Sequence, residues 1–325
     1  MSDKKWLRAL PGIVVSVAAL AAVWALSDPG ALMAALRQMP PGVVLAAAGL
    51  LAVSLVLRAA AWRVLLGQRV RWDEAFWALN AGYLVNNIIP FRAGEAARAA
   101  LIAPRAKVSF WHAVSTVLTE RLLDVVILAA MLVLTLPWVL DIPGARRASW
   151  VLGGGALAAL VTLGIAARYR QPLAARLTAW KKKRRLSHLA TIALRWGLAA
   201  LDGLEALAHP LVFATVVALM AASWAVQVLA YGLTLQAVAP QASYLWAAFT
   251  LGSIGMGIAV PSAPGGLGVL EGVIVFVLGA LGVDASVALA YALVMHGVYY
   301  AVTGLLGWLG TTFYGAHWRD LLPHT

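Results

Sequence analysis

The sequence contains no cysteine. Disulfides, thiolate metal sites and a cysteine nucleophile are therefore excluded. Charge is also scarce. Only 12% of the residues are charged, against 62% hydrophobic, where a soluble domain carries about 25% charged residues. Acidic residues are the rarer sign, 13 Asp and Glu against 25 Lys and Arg. The six histidines show no metal-ligand spacing such as HExxH, and neither a Walker loop nor a strand-associated GxGxxG is found, so no cofactor is expected. The net charge of +12 does not imply nucleic acid. The Lys and Arg residues fall mostly between apolar runs, where orientation and anionic lipid account for them.

What is abundant is hydrocarbon. Mean hydropathy is +0.86, and several runs reach the roughly 20 residues needed to cross a bilayer as helix. The fold class that follows is an all-α polytopic membrane protein. Spans are expected near 10–26, 43–66, 114–140, 151–167, 211–238 and 285–314, with shorter apolar stretches at 75–89, 245–260 and 267–281. The basic start and apolar run at the N-terminus are read as a retained first helix rather than a signal peptide, because SDPG is a poor cleavage site. The basic segment 168–185 is read as a cytoplasmic loop. Lys4, Lys5 and Arg8 place the N-terminus on the same side, and Arg58, Arg63, Arg69 and Arg71 the end of the second helix. The stretch 182–207 repeats Leu186, Leu189, Ala193, Trp196, Ala200, Leu204 and Leu207 at helical spacing, as an interfacial amphipathic helix does.

This sidedness requires an even number of crossings in 72–113 and again in 244–284. Pro90 and Gly94 break the first stretch, and Pro261, Pro264, Gly265 and Gly266 the second. Two re-entrant broken-helix hairpins satisfy the count, as do two pairs of full crossings. The order long helix, broken pair, long helix occurs twice with opposite direction, the pattern of an inverted-topology repeat. The divisions are residues 1–42 (first helix and outer loop), 43–140 (first repeat, hairpin 75–113), 141–210 (linking helix, basic loop, amphipathic helix) and 211–325 (second repeat, hairpin 244–284).

Polar residues gather at the breaks. In NNIIPFRAGEAARAALIA, Asn86 and Asn87 can satisfy freed backbone groups, or merely cap a broken helix. Arg92 and Arg98 offer planar guanidinium forks suited to phosphate, and Glu95 complements a helix dipole or pairs with an arginine. In TERLLDVVIL, Glu120, Arg121 and Asp124 share a helix side inside an apolar span. Each costs about 2.5–3.5 kcal/mol at a helix centre, so they should face the bundle, as a headgroup site or as a structural ion-pair network. At the second break Ser262, Gly265 and Gly266 permit close backbone approach, Glu271 lies on the following short helix, and His296, Tyr299 and Tyr300 on one side of the last helix form a polar wall. Tyr299 aside, these fourteen residues are the expected substrate-binding set.

The ordered motifs NNIIPFRAGEAARAALI, TERLLDVVIL and PSAPGGLGVLEG resemble the lysylphosphatidylglycerol synthase transmembrane-domain family, also called flippase-like domain proteins. The resemblance covers about residues 5–315. It implies movement of lipid between leaflets in a bacterial inner membrane, where the charge reading above puts the N-terminus on the cytoplasmic side. In bifunctional members an aminoacyl-transferring soluble domain follows. This sequence ends at Thr325, so synthase activity is not expected. The expectation is a translocator of an anionic phospholipid or an isoprenoid-linked lipid, with partners in an anionic lipid headgroup and the surrounding membrane lipids, plus a homo-oligomer or an envelope-synthesis partner. Passive or ion-coupled transport follows from the lack of an ATP motif, and loss of movement is expected in Arg92→Ala and Arg121→Ala. A scaffold of a lipid synthase and a lipid-modifying enzyme using Glu120, Asp124 or His296 are the alternatives.

Overall fold

The computed structural model describes residues 10–89, 92–140, 144–183, 191, 194, 197–198, 201, 203–257 and 263–315. The described residues are almost entirely helical and contain no strand. Twelve helices are designated here: α1 (Leu10–Ala25), α2 (Pro29–Gln38), α3 (Pro41–Leu65), α4 (Trp72–Ile88), α5 (Ala93–Ala106), α6 (Phe110–Val139), α7 (Ala145–Arg168), α8 (Arg170–Lys183), α9 (Pro210–Val238), α10 (Tyr244–Gly257), α11 (Val269–Ala280) and α12 (Ala285–Phe313). Five, namely α3, α6, α7, α9 and α12, are long and apolar enough to cross a membrane, and α1 with α2 forms a sixth candidate bent by 92°. The chain is a multi-pass, all-α membrane protein.

Three expectations change. The outer loop after the first helix is the helix α2. Asp28 caps it, accepting from Ala31 N at 2.7 Å, and Pro29 occupies its first turn, where the missing N–H costs nothing. The basic segment after α7 is helix α8 rather than loop over Arg170–Lys183. Arg58 does not mark the end of a span. It lies within α3 and is 4% exposed. Most of the expected amphipathic helix, including Leu186, Leu189, Ala193, Trp196 and Ala200, lies outside the described residues, as do Pro90, Pro261 and Ser262. Leu204 and Leu207 are buried, with a 3₁₀ turn at Ala206–Ala208.

The packing has an internal symmetry. Exchanging α3 with α9, α4 with α10, α5 with α11 and α6 with α12 maps the main contacts onto one another: α4 on α12 becomes α10 on α6, and α5 on α6 becomes α11 on α12. The pair α3 and α9 maps onto itself. Those two helices run antiparallel, since Ala47 clusters with Ala230 and Leu235 while Ala59 clusters with Val216 and Met220. A two-fold relation between antiparallel helices has its axis perpendicular to them.

Each half contains a helical hairpin. In the first, Glu74 pairs with Arg105 at 3.2 Å at the base, and Asn86 Oδ1 accepts Gly94 N–H at 2.8 Å near the tip. The limbs α4 and α5 therefore start and finish at the same end of the bundle. With 17 and 14 residues at 1.5 Å rise they extend only about 26 and 21 Å, less than the ~30 Å hydrocarbon core. The second hairpin, α10 and α11, approaches from the opposite end. Its partner α12 starts beside Asp28 and finishes where Tyr314 Oη donates to Glu74 O at 2.8 Å. The turn Pro264–Gly266 packs on α4, so the second hairpin's turn meets the first hairpin inside the bundle.

Close backbone approach holds the first hairpin. A Cβ on Gly94 would fall 1.8 Å from Gly82 O, and small residues are what allow membrane helices to pack this tightly. Gly94→Val is expected to force the limbs apart and to cost about 1–3 kcal/mol, read as a lower midpoint of thermal unfolding in detergent. An unchanged midpoint would refute this packing.

Candidate functional site

The polar centre is built by four helices. Glu120 and Asp124 are one turn apart on α6, and Arg121 flanks them. Arg58 of α3 donates through Nη1 to Glu120 Oε1 at 3.1 Å, and grips Asp124 with two bonds of 2.8 and 3.0 Å. Arg98 of α5 places Nη1 2.9 Å from Glu120 Oε2. Arg121 Nη2 reaches Glu120 Oε1 at 2.5 Å and Asp124 Oδ2 at 3.0 Å. From α9, Trp224 Nε1 donates to Asp124 Oδ1 at 2.9 Å. Three guanidiniums thus face two carboxylates, leaving one positive charge in excess.

Aromatic rings enclose the charges. Arg98 lies over Trp62 at 4.7 Å and Arg58 over Trp224 at 5.3 Å, contacts that suit a weakly hydrated guanidinium. Trp62, fully buried, is itself held by Thr116, whose Oγ1 accepts its Nε1–H at 3.1 Å. Glu120 is 10 residues into α6 and Asp124 is 14. At 1.5 Å per residue this is roughly 15–21 Å deep, near the middle of a ~30 Å core. The ledger of hydrogen bonds is incomplete. Arg98 Nη1 and Nη2, Glu120 Oε2 and Arg121 Nε are buried without a hydrogen-bond partner among the described residues. For Arg98 Nη1 and Glu120 Oε2 the separation is that of an ion pair, but the alignment is not that of a hydrogen bond. Arg98 Nη2 and Arg121 Nε are donors left over. Arg121 is the accessible member, its side chain 25% exposed.

Beside this centre residues of α6 and α9 line an open apolar cleft of about 430 Å³: Ile127, Met131, Ala221, Trp224, Ala225, Val228 and Leu229. Trp224 belongs to both, one edge bonded to Asp124 and the other facing the cleft. Under the internal symmetry the equivalent pair is α3 with α12, and there the helices pack more closely.

The remaining expected residues fall in two places. Arg92 and Glu95 stand at the first hairpin tip, 3.7 Å apart, with the Arg92 side chain 52% exposed. Arg92 is outside the charged centre because it occupies the left-handed turn before α5, at φ 53°. Asn86 caps Gly94, and Asn87 Nδ2 donates to Thr303 Oγ1 of α12 at 2.8 Å, so both asparagines serve the hairpin. Glu271, His296 and Tyr300 gather at the second hairpin turn with Gly265, while Gly266 adjoins it with open space around its Cα. The structure therefore resolves the expected single set into a charged centre, the first hairpin tip and a cluster at the second hairpin turn. Rings of Tyr83, Tyr299 and Tyr300 lie in series between them, 6.5 and 6.4 Å apart.

Sequence reasoning missed Arg58, Trp62 and Trp224. Arg58 had a signal: an arginine seven residues inside the end of an apolar helix must face protein or a wet cavity. The tryptophans had none, being indistinguishable from lipid-facing aromatics until their neighbours are known.

Comparison with curated proteins and with solved structures gave no match. A family model describing the lysylphosphatidylglycerol synthase TM region matches residues 11–307. With its long apolar helices, buried charges and near-complete match, the chain belongs to the lysylphosphatidylglycerol synthase TM-region family and is a membrane lipid-related protein.

Proposed function

We propose that the protein is a lipid translocator, carrying a lipid with an anionic, phosphate-bearing headgroup between leaflets. The observation that carries the reading is the unbalanced charged centre: three arginines against two carboxylates, with Arg98 Nη2 and Arg121 Nε unspent at mid-depth. A purely structural network would be expected to close its charge and its hydrogen bonds, because unpaired buried donors are costly. A phosphate monoanion would close both. The adjoining cleft gives a tail a place to lie while the head is at the centre.

Orientation follows from charge. Arg63, Arg69, Arg71, Arg105, Lys107, Arg168 and Arg170 gather at the end where α3 and α7 finish and α6 begins. That end is cytoplasmic by the positive-inside rule. In this orientation α1 begins on the cytoplasmic side of a bacterial inner membrane. The two hairpins then enter from opposite faces as re-entrant elements, related by an axis in the membrane plane.

Native mass spectrometry of the purified protein tests the headgroup assignment. An anionic phospholipid should be retained by the parent and lost from Arg121→Gln. Retention of the same anionic lipid by both proteins would defeat it.

A further inference from the structure

Glu271, 1% exposed in the first turn of α11, is a buried carboxylate that the charged centre does not use. Its surroundings fix where hydrogens must be. Oε2 accepts Gly268 N–H at 2.7 Å. Oε1 lies 2.5 Å from His296 Nδ1, and His296 Nε2 lies 3.2 Å from Gly265 O. A peptide carbonyl can only accept, so Nε2 carries a hydrogen. The Nδ1–Oε1 contact then needs one proton between the two atoms. Drawn on either group, that proton leaves the pair neutral. Remove it to water and one ring hydrogen is left for two acceptors. On Nδ1 it keeps Glu271 and leaves the Gly265 carbonyl without a donor; on Nε2 it keeps the carbonyl and sets a carboxylate against an imidazole lone pair, so one of the two contacts must go.

That carbonyl belongs to a turn whose described side-chain hydrogen bonds are few. Gly265 and Gly266 have φ of 69° and 80°, Tyr300 Oη donates to Pro264 O at 3.2 Å, and Ala263 N donates to Ser16 Oγ of α1 at 2.8 Å. A Cβ on Gly265 would fall 1.6 Å from Tyr300 Oη, so the turn and the α12 side chains fit only one way. The pair is electrically isolated. Over their described helical spans α1, α9 and α10 carry no charged residue, α11 only Glu271 and α12 only His296. The α4 carboxylates Asp73 and Glu74 sit at the far end of that helix, Arg63 ends α3, Arg37 ends α2, and Arg58 is committed to Glu120 and Asp124. On the first hairpin, Arg92 and Glu95 pair with each other at the tip. The tyrosines around the pair are Tyr300, its ring tilted against His296 at 4.7 Å, then Tyr299 and Tyr83, with Tyr291 Oη donating to the Tyr231 carbonyl and Tyr244 at the far end of α10.

We propose that Glu271 and His296 are the proton-binding site through which proton movement drives lipid movement, the bound proton holding the Pro264–Gly266 turn against α12 and its loss releasing it. The proposal rests on the translocation reading and names its coupling ion. A monoanionic headgroup and one proton cross together with no net charge, so the step works against no membrane potential.

The test uses full-length protein in phosphatidylglycerol and phosphatidylethanolamine vesicles with a fluorescent phosphatidylglycerol probe and a pH difference of one unit. For one proton per lipid the probe's leaflet ratio should move toward about tenfold per unit. Glu271→Gln keeps both contacts without the proton, because its amide donates to Nδ1 and its oxygen accepts from Gly268, so it should show no such accumulation. Equal distribution in the parent while the probe still exchanges, or accumulation in Glu271→Gln equal to the parent's, overturns the proposal. If the parent moves no probe, the translocation reading fails instead, and ¹⁵N NMR of histidine-labelled protein in nanodiscs judges the proton site alone. His296, assigned by its loss in His296→Gln, should show a proton shared at Nδ1 in the parent and a plain Nε2–H tautomer at every pH in Glu271→Gln. A His296 signal that titrates identically in both proteins rules the site out.

Discussion

Glu120→Ala should destabilise the protein by about 3–5 kcal/mol. The side chain is fully buried and touches Arg58, Arg98 and Arg121. Its removal would leave three guanidiniums facing Asp124 alone, two of them, Arg58 and Arg98, only 4% exposed. Truncating one partner of a buried ion pair costs more than the pair contributes, because the remaining charge keeps its desolvation penalty. A contrasting variant lies on α5, one turn from Arg98. Glu95→Ala removes a 24%-exposed partner of the half-exposed Arg92 at 3.7 Å, and exposed pairs contribute less than about 1 kcal/mol. Tryptophan fluorescence during thermal unfolding in detergent measures both. Equal midpoints for the two variants would show that the charged centre is not a tightly coupled network.

Arg121→Gln should slow lipid movement strongly and leave the fold standing. Removing this residue takes the centre from three arginines and two carboxylates to two of each. Arg58 and Arg98 keep their ion pairs with Asp124 and Glu120, so the bundle remains charge-balanced. What disappears is the positive excess and the exposed guanidinium. A charge-assisted hydrogen bond contributes about 1.5–3 kcal/mol, so the exchange rate of an anionic probe should fall about 10- to 150-fold. Arg92→Ala should do less, since Arg92 stands at the hairpin tip rather than in the centre. Dithionite quenching of labelled lipid in proteoliposomes reads the rates. An Arg121→Gln rate equal to the parent's would remove the headgroup assignment.

The long spans were legible because a bilayer demands about 20 apolar residues per helix, and nothing in a loop imitates that. Both hairpins announced themselves by Pro and Gly within apolar stretches, although the first ends at Ala106 and α6 begins at Phe110 rather than at 113 and 114. The cap Ser109, accepting from His112 N at 3.1 Å, was the missed signal for that start. Helix α2 went unread because ten residues are too short for a hydropathy window, yet Asp28–Pro29 is a start signal. The run of Lys and Arg in α8 is a topology signal that reads as loop, although both residues are good helix formers. At the site, Glu120, Arg121 and Asp124 were visible as charges inside a span. Their partner Arg58 was not, because sequence order places it 62 residues from Glu120 and the positive-inside rule offered a cheaper explanation. The contact of Glu271 with His296 spans 25 residues and two helices. Local periodicity cannot register two helices at that precision.

The central claim, that a surplus positive charge in mid-membrane receives an anionic headgroup, is tested most directly by headgroup selectivity. Phosphatidylglycerol and phosphatidylcholine probes with the same acyl chains would be followed in one preparation of vesicles containing the parent protein. The account predicts that the anionic probe exchanges at least about tenfold faster, the factor that a difference of 1.4 kcal/mol sets. Equal rates for the two probes would contradict it, since a centre that does not distinguish the charge it is built to hold cannot be where the headgroup crosses.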